Sequence, residues 1–155
     1  VNVFQFLEQL YANFDNLAEK HNVFKVETVG ECYVAATGIP SSQPDHATIM
    51  AGFAIEVMKR MPKYVKKMEV QFGPDTGDLS LRIGIHSGPV TGGFLKGKGA
   101  RFQLFGDTMT TAALIQANGM IRRIHLSQAT AEQLTGHHKN KCLMEREDVV
   151  QTVEK

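Results

Sequence analysis

Two short runs of alternating side chains, separated only by Gly30-Glu31, constrain this chain more than any other feature. Residues 24–38 read FKVETVGECYVAATG. Phe24, Val26 and Thr28 alternate with Lys25, Glu27 and Val29, the two-residue period of a strand with one covered face. Glycine at the first central position of a two-residue connection suits a type II′ turn, so the segment is predicted to be a tight antiparallel hairpin. A hairpin buries little by itself and must lay one face on another element.

The flanking sequence supplies such elements. Val3, Leu7, Leu10, Phe14 and Leu17 recur at spacings of four and three, predicting an amphipathic helix that ends near Asn22. After the loop IPSSQP, Pro44 and Asp45 open a second helix with Ala47, Met50, Ala51, Ala54, Met58 and Met61 on one face. Phe72 to Asp78 is a turn-rich loop. Leu79, Leu81, Ile83 and Ile85 alternate with Ser80, Arg82, Gly84 and His86, predicting a central strand. A glycine-rich hairpin (SGPVTGGFLKGKG) leads into the strand RFQLF. It does not spell the phosphate-cradling GxxxxGK[ST] pattern and reads as turn chemistry. Asp107 or Thr108 can cap a third helix running to about Asn118, with Gly119 as its stop. Arg123 to Leu126 is a short strand, and Ser127 caps a last helix ending near Gly136. This order predicts an α/β sandwich in which helices cover a mainly antiparallel sheet.

At 155 residues the chain is one domain, 1–155, with length enough for a single core. It opens inside an apolar-periodic segment, so it reads as a piece of a larger protein. The net charge of +1 gives no bulk reason to expect nucleic acid or an anionic membrane as partner. No apolar run approaches spanning length, so no membrane contact by this segment is expected. The two cysteines, Cys32 and Cys142, make no disulfide framework and fit a reducing compartment.

The stretches FKVETVGECYVAATG, LSLRIGIHSGPV and RFQLFGDT together resemble the catalytic domain of class III nucleotide cyclases, in its guanylyl cyclase version. The resemblance implies a ferredoxin-like fold. The family's first strand, which carries a metal aspartate in an F-A-D-I-x-G-F-T motif, is not in this sequence. The implied chemistry is attack of a ribose 3′-hydroxyl on the α-phosphate of GTP or ATP, expelling pyrophosphate, with two Mg²⁺ or Mn²⁺ ions. The implied partner is a second cyclase domain, as homodimer or heterodimer. The implied setting is a cytoplasmic domain, including that of a membrane-anchored parent.

Residue by residue, the resemblance places Glu27 at the base-reading position. A carboxylate accepts two hydrogen bonds from the N1–H and amino group of guanine, a donor pair that adenine lacks. Gln103 falls on the second base-reading position and can both donate and accept. Glu31 stands where the family has a metal-binding aspartate. Arg82 falls where an arginine contacts the triphosphate, a task suited to its forked donors. In GDTMTTAALIQAN, Thr110 replaces the asparagine that orients the ribose, and Leu114 replaces the arginine that stabilises charge on the α-phosphate. Their apolar neighbours Ala112, Ala113 and Ile115 suggest a face that packs. Val153 lies near the position of a phosphate-binding lysine, for which Lys155 could substitute. Two readings follow: one half of a composite enzyme site, or a catalytically inactive dimerisation or nucleotide-sensing module.

Overall fold

The first helix, α1 (Val3–Lys20), stops where backbone geometry makes it stop. Asn22 adopts φ 57°, and Val23 N–H donates back to Ala18 O at 2.8 Å while Asn22 N–H reaches Glu19 O. This is a Schellman closure with asparagine in the left-handed position and a buried valine after it. The expected end at Asn22 is therefore two residues late. These statements come from a computed structural model, which describes residues 3–97, 101–135 and 143–148.

The hairpin pairs β1 (Phe24–Val29) with β2 (Cys32–Ala36) in antiparallel fashion, with Val29 opposite Cys32 across Gly30-Glu31. Gly30 takes φ 58°, as the turn requires. The simple alternation expected for β1 does not hold. Lys25 faces Ala35 but Glu27 faces Val34, so Val26 is an extra residue in a bulge. Beyond the bulge the parity flips: Glu27 shares a face with Phe24, and Thr28 is exposed on the other.

The second helix, α2 (His46–Phe72), lies across α1. Phe6, Leu10, Phe14 and Leu17 of α1 meet Val57, Met61, Val65 and Met68 of α2, with Tyr33 and Ala35 of β2 packed against them. The buried face of α2 includes Phe53, Val57, Val65 and Met68, whereas Met50 and Met58 are only half-buried. A smaller cluster joins Ala47 and Ala51 to Leu134 and Leu126.

A 3-10 turn (Pro74–Asp78) precedes β3 (Ile83–Ile85). The predicted strand from Leu79 is thus shorter. Its partner β6 (Ile124–Leu126) runs parallel to it and pairs Ile83 with Ile124 and Ile85 with Leu126. Arg122, at φ 64°, turns the chain just before β6; it donates to Leu81 O, and the ladder goes no further. Next come β4 (Thr91–Leu95) and β5 (Arg101–Phe105), an antiparallel pair. Then come α3 (Asp107–Ala117) and, after β6, α4 (Gln128–Gln133). Ser127 caps α4 as expected, its hydroxyl accepting from Thr130 N–H. Neither Asp107 nor Thr108 caps α3: Gly106 holds that position, and the Thr108 hydroxyl donates to Pro89 O at 2.7 Å. The strands form three two-stranded sheets, two antiparallel and one parallel, with helices packed on them. Cys142, Gly136, Val153 and Lys155 lie outside the described residues.

Candidate functional site

The bulge in β1 has a direct consequence for Glu27. It moves this side chain from the face of Lys25, which lies against α1, to the face of Phe24 towards β5, where it is only 16% exposed. Phe24, on the same face, packs edge-on against Phe102 of β5 at 5.5 Å. The carboxylate of Glu27 lies 3.8 Å from Arg101 Nε. Gln103 sits two residues along β5, opposite Gly93 and half-buried. Two hairpins thus bring Glu27, Arg101 and Gln103 into one neighbourhood. A carboxylate with a guanidinium beside it and an amide nearby can read the edge of a purine through hydrogen bonds.

Glu31 is exposed at the tip of the β1–β2 turn. Its main-chain carbonyl accepts the hydroxyl of Tyr11, a buried residue of α1. One helical turn on, Asp15 accepts the Tyr33 hydroxyl at 2.8 Å and the Lys25 ammonium at 3.1 Å. Two α1 residues four apart therefore hold the turn and both strands of the hairpin. Burial raises the pKa of the Tyr11 hydroxyl, and the negative character of Cys32 and Glu31 adds to it. Burial first, then the bond to Asp15, raises Tyr33.

Arg82 is exposed, and its Nη1 lies 3.5 Å from Ala117 O at the C-terminus of α3. A guanidinium there meets the partial negative charge of the helix end. Arg146 makes a second such contact, donating to Asn118 O at 2.5 Å. Thr110 and Leu114 lie one turn apart on α3. The packing face of that helix is instead Thr111 and Ile115, both buried. Thr110 is exposed and Leu114 half-buried, which corrects the expectation that this pair belongs to the packing face. Among the described residues, no hydrogen bond or ion pair joins Glu31 or Arg82 to Glu27 or Gln103. The site residues are spread out: Glu27 pairs with Arg101, Gln103 lies two residues further along β5, Glu31 stands at the turn, Arg82 at the end of α3, and Thr110 and Leu114 lie one turn apart on that helix. An open groove of about 400 Å³, lined by Gln5, Glu8, Gln9, Ala12 and Gln71, holds none of them.

Among the described residues, no three His, Cys, Asp or Glu side chains converge to hold a metal ion. Magnesium accompanying a nucleotide commonly takes only one or two carboxylates, the phosphates supplying the rest. An exposed carboxylate on a turn anchored from below fits that role as one ligand.

Sequence reasoning did not find Arg101 or the Tyr11–Asp15 anchor. Arg101 could have been noticed as a cation on the strand that carries Gln103. The spacing of Tyr11 and Asp15 on one side of α1 was the other available signal.

These elements and their order define a class III nucleotide cyclase catalytic domain. The family model described as the adenylate and guanylate cyclase catalytic domain matches residues 1–152, and the chain belongs to that family. It is 36% identical over 135 residues to guanylate cyclase D of Mus musculus, covering 86% of this chain and 12% of that protein. It is also 36% identical over 128 residues to the guanylate cyclase soluble subunit beta-2 of Rattus norvegicus, covering 82% of this chain and 18% of that one. The chain therefore spans less than a fifth of the length of these two relatives. Among solved structures it resembles the guanylate cyclase domain of RhGC from Catenaria anguillulae, determined in complex with GTP. The TM-score is 0.74 at 34% identity, covering 87% of this chain and 70% of that one. It resembles the non-canonical dimeric guanylyl cyclase domain of RhoGC from Blastocladiella emersonii with a TM-score of 0.70 at 35% identity, covering 83% and 68% of the two chains. The guanylyl cyclase Cya2, at 19% identity and a TM-score of 0.79, shares the fold.

Proposed function

We propose that this domain forms cGMP and pyrophosphate from GTP as one half of a site shared with a second cyclase domain. In the reaction the ribose 3′-oxygen bonds to the α-phosphorus, the bond to the β-phosphate oxygen breaks, and the hydroxyl proton is lost. Two Mg²⁺ or Mn²⁺ ions would lower the cost of the attacking and leaving oxygens, with Glu31 as one ligand. Arg82 is assigned to the triphosphate, which requires it to exchange the Ala117 carbonyl for phosphate oxygens. Glu27 and Gln103 are assigned to the base in the second of the two interface sites.

The placement of Glu27 supports a preference for guanine in the interface site that this chain's own base-reading residues line. Among the described residues Glu27 is the least exposed carboxylate in an ion pair, turned towards β5 by the bulge and faced by Arg101. The similarity to guanylyl cyclases, one of them solved with GTP, supports the same substrate.

In this family a site draws metal carboxylates from one domain and base pocket, asparagine and arginine from the other. Each domain therefore offers one set to each of two interface sites. Here the set with Glu27 and Gln103 contains Thr110 and Leu114 and lacks both donors. Losing one transition-state donor commonly costs about a hundred- to a thousandfold in rate. Turnover is accordingly assigned to the site that Glu31 and Arg82 complete with a partner retaining asparagine and arginine.

The test is to purify the chain alone and with such a partner, then measure cyclic nucleotide from GTP and from ATP. With a partner that carries a guanylyl-cyclase base pocket the mixture is expected to make cGMP, and the chain alone almost none. Robust turnover by the chain alone would overturn the assignment of Leu114. A second reading, an inactive nucleotide-binding or dimerisation module, is favoured by Leu114 and by glutamate at the Glu31 position. It predicts GTP binding with no product from any mixture.

A further inference from the structure

One surface is unrelated to any residue assigned above. Residues 59–67 of α2 read KRMPKYVKK: five of the seventeen Lys and Arg of the chain, with no Asp or Glu. At 3.6 residues per turn, Lys59, Lys63, Lys66 and Val70 stack along one line of the helix, with Arg60 and Lys67 flanking it on one side. All six are exposed. The opposite side carries the buried Val57, Met61, Val65 and Met68. The result is a basic strip about 17 Å long, ending in a valine that is 91% exposed. Arg60 is paired with Glu56 at 2.5 Å. Among the described residues, none of the four lysines has an acidic partner within ion-pair distance.

We propose that this face of α2 docks the domain on an anionic lipid surface. Clusters of four to eight Lys and Arg on an amphipathic helix are the pattern that anionic headgroups recognise. Three features favour lipid over a structured acidic partner. The unpaired cations are all lysines, flexible and strongly hydrated point charges suited to a diffuse sheet of negative charge rather than to bidentate contacts. They lie on a convex helix surface rather than in a groove. The apolar side chain within the strip, Val70, suits the boundary beneath the headgroups. No helix among the described residues is long and apolar enough to cross a membrane, so the contact is peripheral.

The experiment is sedimentation of the purified chain with vesicles of phosphatidylcholine, alone or with about one-third phosphatidylserine. Binding is expected only with phosphatidylserine and is expected to weaken steeply with added salt. Each lysine near the surface contributes about fivefold, so the double variant K63Q/K66Q should bind roughly twenty-five-fold more weakly. K96Q, outside the strip, should bind as the unaltered chain does. Circular dichroism of each variant separates lost binding from lost fold, since exposed lysines are replaceable without disturbing the core. No binding to phosphatidylserine vesicles would overturn the proposal. So would undiminished binding by K63Q/K66Q, or tighter capture by polyglutamate or duplex DNA than by vesicles of equal charge. None of these readouts involves nucleotide, so the result stands apart from the cyclase assignment.

Discussion

Replacing Gly84 by alanine probes the contact that seats α3, and with it Thr110 and Leu114, on the sheet. Gly84 lies in the middle of β3, and α3 crosses directly over it. A Cβ built there would stand 2.3 Å from the backbone nitrogen of Gln116, 2.5 Å from its Cα and 2.7 Å from its Cβ. Carbon atoms in contact sit about 3.5–4.0 Å apart, so the helix must retreat by roughly 1 Å. The obstructing atoms are backbone near the end of a helix, and no rotamer change relieves them. Overpacking of this kind costs about 1–3 kcal/mol, occasionally more, and the rigid obstruction argues for the upper end, about 3 kcal/mol. For a chain of this size that lowers Tm by roughly 6–12 °C. Gly52, inside α2, is the control: a Cβ there meets nothing within 4 Å. Alanine at Gly52 should stabilise by about 0.5–1 kcal/mol, because glycine is a poor helix former. Thermal and urea unfolding of both variants measure the pair. A cost below about 0.5 kcal/mol for G84A would refute the close seating of α3.

Other outcomes are expected. Tyr11→Phe removes the hydroxyl bound to the Glu31 carbonyl and should cost about 0.5–1.5 kcal/mol in urea unfolding, with faster amide exchange at the turn. An unchanged exchange rate would show that the turn is not held from α1. Restoring both donors with T110N/L114R should raise cGMP formation by the chain alone by at least about a hundredfold; no gain would mean that Glu31 or a further position also blocks turnover. Burial lowers the pKa of His86, so the unfolded chain binds more protons than the folded one just below the ordinary histidine range. Stability is therefore highest above pH of about 6.5 and falls as pH drops towards the depressed folded value. A His86 imidazole titrating at or above the ordinary value by NMR would contradict this.

The sequence made some features readable and hid others for physical reasons. The β1–β2 hairpin was legible because Gly30 marks its turn and strand alternation surrounds it. The bulge at Val26 was not, because no glycine or proline announces it; only the cross-strand partners reveal that Glu27 changes face. The partner of Glu27, Arg101, lies far away in sequence and is brought close by the packing of Phe24 on Phe102. The faces of α3 were misjudged because Ala112, Ala113, Leu114 and Ile115 are apolar all round, so periodicity could not select Thr111 and Ile115 as the seated side. Arg82 was placed on a strand that begins only at Ile83, because Arg122 turns the neighbouring chain away. The net charge of +1 averaged over the chain and concealed the lysine strip of α2.

Glu27 as a reader of guanine is the central assignment for this domain. Displacement of a fluorescent GTP analogue by GTP and by ATP, from the unaltered chain and from Glu27→Lys, each without another cyclase domain so that no second base pocket contributes, addresses this directly. GTP should displace at lower concentration than ATP, and the substitution should abolish or invert that order. Equal or tighter displacement by ATP from the unaltered chain, or an order unchanged by the substitution, would contradict it.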